Sequence, residues 1–251
     1  MVRFASYNIE HGCRGGRVCS LTDMVAQIRE SQADVVGLQE TRLADEAWQP
    51  TGPSIVATLV RQLGAGWSGA DEAPSATSWS NGWLWRGAGG EGSMLPDGRL
   101  QYGTWRLRNV HLTDVPAPYL RWLNCPSAEY PEPVAEVGTE LQRCEQLRWQ
   151  PLREQLGDSN VVMGDLNEPI WYANHSQWSR VPWPVSWHLW ETGWREHHQG
   201  KATWHDDQTG AAAQLDAIWL REGVVVKAVG WGSDQHYQLS DHRLVWVECV
   251  S

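Results

Sequence analysis

The first quarter of the chain alternates between short apolar runs and apolar positions at helical spacing. Residues 4–9 and 35–39 are mainly apolar, which is typical of buried strands. Between them, apolar side chains recur at the spacing of one helix face, which predicts a helix over residues 21–29. A second helix is predicted over residues 53–63, with a proline in its first turn and Gly64 just past its end. The chain therefore begins as a β-α-β unit followed by a further helix.

The rest of the chain is predicted to contain more strands, one more helix and two irregular segments. A helix is predicted over residues 139–156, apart from Pro151. The irregular segments are a proline-rich loop over 116–133 and a tryptophan-rich stretch over 169–193. No internal repeat or linker is visible, so we expect one α/β domain over residues 1–251. The predicted strands occupy residues 79–85, 100–110, 160–163, 214–220, 223–229 and 244–249, with a glycine-rich turn over 87–98.

The composition excludes several functional classes. Of 251 residues, 41% are hydrophobic and 20% charged, as in globular proteins rather than disordered or coiled-coil chains. No run approaches the roughly 18 apolar residues of a membrane helix and no signal peptide is recognisable, so we expect a cytoplasmic protein without a membrane partner. Neither of the two lysines, Lys201 and Lys227, lies in a P-loop, and the net charge of −10 disfavours sequence-independent nucleic-acid binding. The scattered cysteines, five in number, fit reduced thiols.

Polar side chains that can do chemistry follow most of the predicted strands. Carboxylates, amides and imidazoles gathered at one rim suit a hydrolase that uses a divalent cation, because they supply oxygen ligands, a base for water and donors for an oxyanion. A single strand-end carboxylate is equally typical of a helix cap or an ion pair, so the interpretation depends on the whole set. The set is Asn8, Glu40, His111, Asp165 with Asn167, Asp216, and Asp241 with His242.

These residues lie in six short motifs whose order resembles that of the endonuclease/exonuclease/phosphatase superfamily, which includes DNase I. The resemblance implies a DNase I-like fold: a four-layer α/β/β/α sandwich of two packed mixed sheets, with the active site at one end. The motifs span residues 6–243. They are SYN ending at Asn8, LQE ending at Glu40, NVHL around His111, GDLNEP around Asp165 and Asn167, LDAIW around Asp216, and SDHR around Asp241 and His242.

The resemblance also implies a metal site and a site for the attacking water. Glu40 looks like the main ligand of a Mg²⁺ or Mn²⁺ ion, assisted by Asn8 and Asp241. Asp165 would orient or deprotonate the water, and Asn167 would hold a phosphate oxygen.

Two histidines complete the implied catalytic set. Asp216 would hydrogen-bond His242 and fix its tautomer. His111 is similar to a histidine that binds phosphate or protonates the leaving oxygen. The role of general base stays open between Asp165 and His242.

The sequence departs from the family pattern in two places. The segment from 79 to 110 is short, its stretch SNGWLWR (residues 80–86) offers no acidic partner for His111, and the tyrosine motif of AP endonucleases is absent. Substrate contacts are predicted for Asn167 and His111, and for Trp171 of the tryptophan-rich stretch through stacking on a flat group. Three other polar residues near the motifs are interpreted as ordinary loop residues: His11, Asp114 and Glu168. His197, His198 and His205 are interpreted as solvent-exposed loop histidines rather than as a second metal site.

The sequence therefore predicts a Mg²⁺- or Mn²⁺-dependent phosphoesterase that hydrolyses a small or soluble phosphodiester or phosphomonoester by in-line attack of water. A DNA or RNA nuclease is the first alternative, and the acidic net charge counts against it. A catalytically silent binding module on the same scaffold is the second alternative. Recruitment to a non-phosphate biosynthetic reaction is the third.

Overall fold

Sixteen strands and four helices make up the described part of the chain. The computed structural model describes residues 1–12, 21–43, 52–72, 80–87, 91–112, 145–168, 171–172, 177–178, 184–198, 201–205, 212–232 and 239–250. The strands are Val2–Asn8 (β1), Val35–Gln39 (β2), Trp67–Asp71 (β3), Gly82–Arg86 (β4), Gly92–Met94 (β5), Leu100–Tyr102 (β6), Trp105–His111 (β7), Val161–Asp165 (β8), Trp171–Tyr172 (β9), Gln177–Trp178 (β10), Trp194–Glu196 (β11), Trp204–His205 (β12), Ala212–Gln214 (β13), Asp216–Arg221 (β14), Val225–Trp231 (β15) and Val245–Val250 (β16).

The helices are Leu21–Ser31 (α1), Val56–Leu63 (α2), Gln150–Leu156 (α3) and Pro184–Glu191 (α4). A short 3₁₀ turn follows β1 at Glu10–Gly12, and a π-helical turn at Glu145–Trp149 leads into α3. No helix among the described residues combines the length and apolar character needed to cross a bilayer.

Two six-stranded mixed sheets form the centre of the fold. The first sheet has the order β15-β16-β1-β2-β4-β3, and the second has the order β11-β14-β8-β7-β6-β5. Each is mixed because it contains one parallel pair, β1 with β2 and β7 with β8, among antiparallel neighbours. Strands β9, β10, β12 and β13 form a smaller third sheet.

Three apolar clusters separate four layers. Phe4, Val35 and Met163 belong to the cluster between the two large sheets. A second cluster joins the outer face of the first sheet to α1 and α2, and a third joins the second sheet to α3 and α4. Side chains of a strand alternate between faces, so β1 sends Phe4 to the inner cluster and Ala5 to the helices. The predicted α/β/β/α sandwich is therefore confirmed.

Buried amides also connect the two large sheets just below one end of the sandwich. Gln39 Nε2 donates to Asn109 Oδ1 at 2.5 Å and to Ser6 Oγ at 3.2 Å. Asn109 Nδ2 in turn donates to the carbonyl oxygens of Leu38 and Gly82. Because buried polar groups are costly when unpaired, this network favours one relative position of the sheets.

Several predicted elements differ in their boundaries. Residues 100–110 form a hairpin rather than one strand, because Gly103 adopts a positive φ of 55° between β6 and β7. The glycine-rich turn contains β5, which pairs with β6. Helix α2 begins at Val56 instead of residue 53, and Ser54 Oγ accepts a hydrogen bond from Val56 N at its start.

The tryptophan-rich stretch is not wholly irregular, since it contains α4. Pro151 lies in the first turn of α3, where a missing N–H costs nothing. The predicted strand 214–220 is interrupted at Leu215 between β13 and β14. The proline-rich loop, Asp114 and residues 139–144 lie outside the described residues.

The strand register brings the predicted site residues to one end of the sandwich. In the parallel pair β1–β2, Asn8 lies opposite Gln39, directly before Glu40. In the second sheet, Asp165 lies opposite both His111 and Asp216. Carboxyl ends of neighbouring parallel strands meet at the same edge, so both sheets deliver polar side chains to this end.

Candidate active site

Positive backbone φ angles are concentrated at this end of the sandwich. Six non-glycine residues among those described have positive φ angles, and four of them follow the strands that end here: Glu10, His11, Glu40 and Asn167. Such conformations are uncommon for L-residues and cluster at functional sites, where the surrounding structure holds them. The backbone is therefore held in an energetically unfavourable conformation where these strands end.

The amide of Asn8 joins the carboxylates of the two sheets. Asn8 Nδ2 donates to Glu40 Oε1 and to Asp165 Oδ2, at 3.0 Å in both cases. Its Oδ1 accepts a hydrogen bond from Glu10 N at 3.0 Å. In this conformation Asn8 holds the carboxylates together through its amide nitrogen, and its role as a direct metal ligand stays a prediction.

Asp165 lies at the centre of the site, almost fully buried. Its Oδ1 accepts from Asn167 N at 2.8 Å, and Asn167 Nδ2 donates to Leu112 O at 2.8 Å, which orders the loop after β8. Its Oδ2 lies 3.7 Å from His111 Nε2 and 3.6 Å from His242 Nε2. Both predicted histidines thus approach the same carboxylate.

His111 also lies near the first sheet. Its Nε2 is 3.5 Å from Glu40 Oε1, so the carboxylates beside this nitrogen come from the ends of β2 and β8. The stretch SNGWLWR (residues 80–86), which contains no acidic residue, is not their source.

Asp216 and His242 form a buried pair, with His242 Nδ1 at 2.8 Å from Asp216 Oδ2. Burial raises the pKa of Asp216 to about 6, against the opposing effect of the His242 charge. Burial disfavours a charged His242 ring, but nearby carboxylates, Asp216 first among them, outweigh it and raise the pKa of His242 well above 6.5. The contact fixes the ring so that Nε2 points toward Asp165.

His11 is a site residue that the sequence reasoning treated as an ordinary loop residue. It is only 4% exposed, and its Nε2 lies 2.9 Å from Glu40 Oε2. Burial lowers the pKa of His11, but the hydrogen bond and charge of Glu40 outweigh this effect and leave it raised. Burial would raise the pKa of Glu40, but the hydrogen bond from His11 and the charge of His111 lower it to about 2.

Glu10 and Trp204 are further residues that the sequence reasoning missed. Glu10 Oε2 accepts from Asp241 N at 3.3 Å, and Trp204 Nε1 donates to Asp241 Oδ2 at 3.0 Å. Burial and the charge of Asp241 raise the pKa of Glu10 to about 7. The available signal for Glu10 and His11 was their position directly after the SYN motif, since no periodicity points to them.

The donor set fits a hard divalent cation. Glu40, Glu10 and Asp241 bring carboxylate oxygens to this end of the sandwich, and the charges of Asp241 and Glu40 both raise the pKa of Glu10. Such oxygens are the ligands that Mg²⁺ and Mn²⁺ prefer. Asp241 Oδ1 is buried and has no hydrogen-bond partner among the described residues. A buried oxygen without a partner is costly unless a cation or water completes it.

Asp165, Asp216 and His242 also approach one another, with potential ligand atoms within 4.8 Å. Since His242 Nδ1 and Asp216 Oδ2 already bond each other, this group is arranged as a histidine with its orienting carboxylate. The role of Glu40 as the main metal ligand stays a prediction.

Glu168 and Arg148 connect the loop after β8 to the start of α4. Glu168 is fully buried, and its carboxylate accepts hydrogen bonds from Val185 N and Ser186 N at the start of α4. Arg148 Nη1 lies 3.5 Å from Glu168 Oε1, and Arg148 Nη2 donates to Leu166 O. The interpretation of Glu168 as a surface loop residue is therefore wrong.

His198 is likewise buried, with Nε2 at 2.7 Å from Trp246 O, so its interpretation as an exposed histidine is wrong. His197 and His205 are partly buried. The backbone of Trp171 lies in β9 and pairs with β13. The side chain of Trp171 lies outside the described part of the structure, and its contact with substrate stays a prediction.

Comparison with known proteins shows the family to which the chain belongs. The chain belongs to the Endonuclease/Exonuclease/phosphatase family, which it matches over residues 5–242. The family includes nucleases and other hydrolases of phosphate esters. No curated protein sequence matches the chain.

Solved structures share the fold at low sequence identity. An endonuclease/exonuclease/phosphatase from Bacteroides vulgatus has a TM-score of 0.61 and 14% identity, with 99% of this chain and 98% of that chain covered. A family protein from Leptotrichia buccalis has a TM-score of 0.60 and 12% identity over 100% of both chains. The AP endonuclease LMAP from Leishmania major has a TM-score of 0.60 and 15% identity, covering 98% and 86%. At these identities the likeness concerns the fold alone.

Proposed function

We propose that this protein is a divalent-metal-dependent phosphoesterase that hydrolyses a small or soluble phosphodiester or phosphomonoester. One observation carries the proposal: Asn8 bridges Glu40 of the first sheet and Asp165 of the second, with His111 and the Asp216-bound His242 around Asp165. Carboxylates for a cation, a group for water and donors for phosphate oxygens thus lie within one buried end of the fold.

Glu40, with Asp241 and Glu10 nearby, would hold the Mg²⁺ or Mn²⁺ ion. When bound, such an ion polarises the phosphoryl group and stabilises the negative charge that develops on its oxygens. The lowered pKa of Glu40 keeps this side chain an ionised ligand over the physiological range. Asn8 Oδ1 accepts one hydrogen bond from Glu10 N, and its second lone pair is the one that the predicted ligand role would use.

The side chains around Asp165 would carry the proton transfer. The Asp165 carboxylate orients a water molecule and accepts its proton as the water oxygen forms a bond to phosphorus and the bond to the leaving oxygen breaks. Asp216 holds the His242 ring and stabilises positive charge on it, which suits contact between Nε2 and a phosphate oxygen. His111 Nε2 suits contact with the phosphate or the leaving oxygen, and Asn167 with a phosphate oxygen.

The net charge of −10 supports a substrate smaller than a nucleic acid, because a long polyanion is repelled unless basic groups gather beside the site. Among the described residues, the carboxylates of Glu10 and Asp241 add negative charge close to Glu40. A nuclease is the alternative that a substrate screen distinguishes.

The test is a metal-dependent activity screen with phosphomonoesters, nucleotides, dinucleotides, phospholipid head groups and nucleic acids as substrates. Purified protein is assayed with Mg²⁺, with Mn²⁺ and after chelation, beside Glu40→Gln and the exposed control Glu222→Gln. We expect hydrolysis that chelation abolishes, that Glu40→Gln lowers by about 10²-fold or more and that the control leaves unchanged. Metal-independent activity, or wild-type activity of Glu40→Gln at the same metal optimum, contradicts the proposal.

A further inference from the structure

Two consecutive residues after β1 adopt a backbone conformation that L-amino acids rarely occupy. Glu10 has a φ of 42° and His11 a φ of 58°. Strain of this kind persists only where surrounding contacts hold it, and it is concentrated at functional sites. The turn directs the His11 side chain into the protein beside Glu40, instead of leaving it at the surface.

The His11 ring contacts the Glu40 segment at both of its nitrogens. Nδ1 lies 3.0 Å from the backbone carbonyl oxygen of Arg42, and Nε2 lies 2.9 Å from Glu40 Oε2. The carbonyl fixes the orientation of the ring, because it can only accept a hydrogen bond. The ring then determines where Oε2 lies, while Asn8 Nδ2 holds Oε1 at 3.0 Å.

We infer that His11 is a positioning residue, which fixes the Glu40 carboxylate in the orientation needed to bind the divalent cation. The inference rests on the proposed function, since it takes Glu40 as a metal ligand. A carboxylate offers about four lone-pair directions, and Asn8 and His11 together use one on each oxygen. The remaining directions stay available to the cation. Hydrogen bonds to a ligating carboxylate typically change metal affinity by about 10–100-fold.

The experiment measures Mn²⁺ affinity of the full chain from the electron paramagnetic resonance signal of free Mn²⁺, without substrate. Four variants are compared with the wild type: His11→Ala, His11→Gln, His11→Asn and Glu40→Gln. The amide nitrogen of Gln reaches the position of Nε2, whereas that of Asn reaches only the position of Nδ1. His198→Ala is the matched control, because His198 is also buried and bonded to a backbone carbonyl. Melting in chelator reports the fold of each variant.

We expect His11→Ala and His11→Asn to weaken Mn²⁺ binding by about 10–100-fold, and His11→Gln to stay within about threefold of the wild type. His198→Ala should lower the melting temperature and leave Mn²⁺ affinity unchanged. Wild-type affinity of His11→Ala beside a large loss for Glu40→Gln overturns the role of His11 and leaves the proposed metal site standing. Equal losses for His11→Ala and His198→Ala also overturn it. Undiminished affinity of Glu40→Gln overturns the metal site of the proposed function itself.

Discussion

The buried pair of Arg148 and Glu168 predicts a measurable link between stability and catalysis. In Glu168→Gln the side chain keeps its shape and one acceptor oxygen, but it loses the charge that faces Arg148 and two backbone N–H groups of α4. Breaking a buried ion pair by changing one partner costs about 3–5 kcal/mol. Because one acceptor remains, we expect the lower end, about 3 kcal/mol.

For a chain of this size, 1 kcal/mol corresponds to roughly 2–4 °C in Tm, so Glu168→Gln should melt about 6–12 °C below the wild type. The pair also supports Leu166, which lies between the catalytic candidates Asp165 and Asn167. A displaced catalytic loop should therefore lower kcat/KM by about 10–100-fold. Thermal unfolding and steady-state kinetics on the best substrate of the screen measure both effects.

A double-mutant cycle isolates the pair. Arg148→Met combined with Glu168→Gln should be less destabilised than the sum of the single changes by about 1–3 kcal/mol, because neither leaves the other unpaired. The control is Glu222→Gln, since the Arg195–Glu222 pair is 36% and 66% exposed and should contribute less than about 1 kcal/mol. Additive losses, or a Glu168→Gln protein as stable as the control, would refute the reasoning.

Three further predictions follow from other parts of the structure. Asp165→Asn should melt close to the wild type, and His242→Ala should melt below it because it leaves the buried Asp216 carboxylate unpaired. Both should lower kcat by about 10²–10⁴-fold, as kinetics and calorimetry on the same samples will show. Gly164→Ala should be strongly destabilised, because its φ is 147° and an added Cβ would lie 1.8 Å from Val110 O; Gly103→Ala, which has no atom within 4 Å of its Cβ, is the control. Burial raises the pKa of Glu72 to about 8, against the opposing charge of Arg108, so the folded protein holds a proton that the unfolded chain releases above about pH 4.5. Stability should therefore fall between pH 4.5 and 8 in the wild type and less in Glu72→Gln, which denaturant unfolding at pH 5 and pH 8 measures.

Each of these three predictions has an outcome that would contradict it. Wild-type kcat in either catalytic variant removes that side chain from the mechanism. Equal stability of the two alanine variants would mean that β8 does not need glycine beside Asp165. Parallel pH profiles of wild type and Glu72→Gln would mean that the Glu72 carboxyl is hydrated in the folded protein, although its Oε1 is buried without a hydrogen-bond partner among the described residues.

The strand cores and their polar ends could be predicted from the sequence for a physical reason. A strand that is buried on both faces is mainly apolar, so a return of polar residues marks its end, as at Gln39 and Glu40 after VVGL and at Asp165 after VVMG. Parallel pairing then places such ends at one edge. The sequence also contained a signal for the β6–β7 hairpin, since a glycine interrupts an otherwise alternating pattern at Gly103.

Other features depend on contacts that no local pattern contains. His11 is buried because a strained turn directs it to Glu40, and a turn of non-glycine residues has no compositional signature. Glu168 is buried because it binds the start of α4, 17 residues further along the chain. Both looked like loop residues because their partners are remote in sequence.

The pairing of β1 with β16 has a consequence for how activity is gained during folding. Ser240 Oγ donates to Asn8 O across 232 positions of the chain, and β16 lies directly beside β1 in the sheet. Contacts between residues so far apart in the sequence close the largest loops, and such contacts form slowly during folding. A refolding chain should therefore regain the circular dichroism of α1 and α2 before it regains turnover. During synthesis, the same geometry keeps Asn8 and His242 apart until residues 240–250 have left the ribosome, so the candidate site cannot assemble on the growing chain before then.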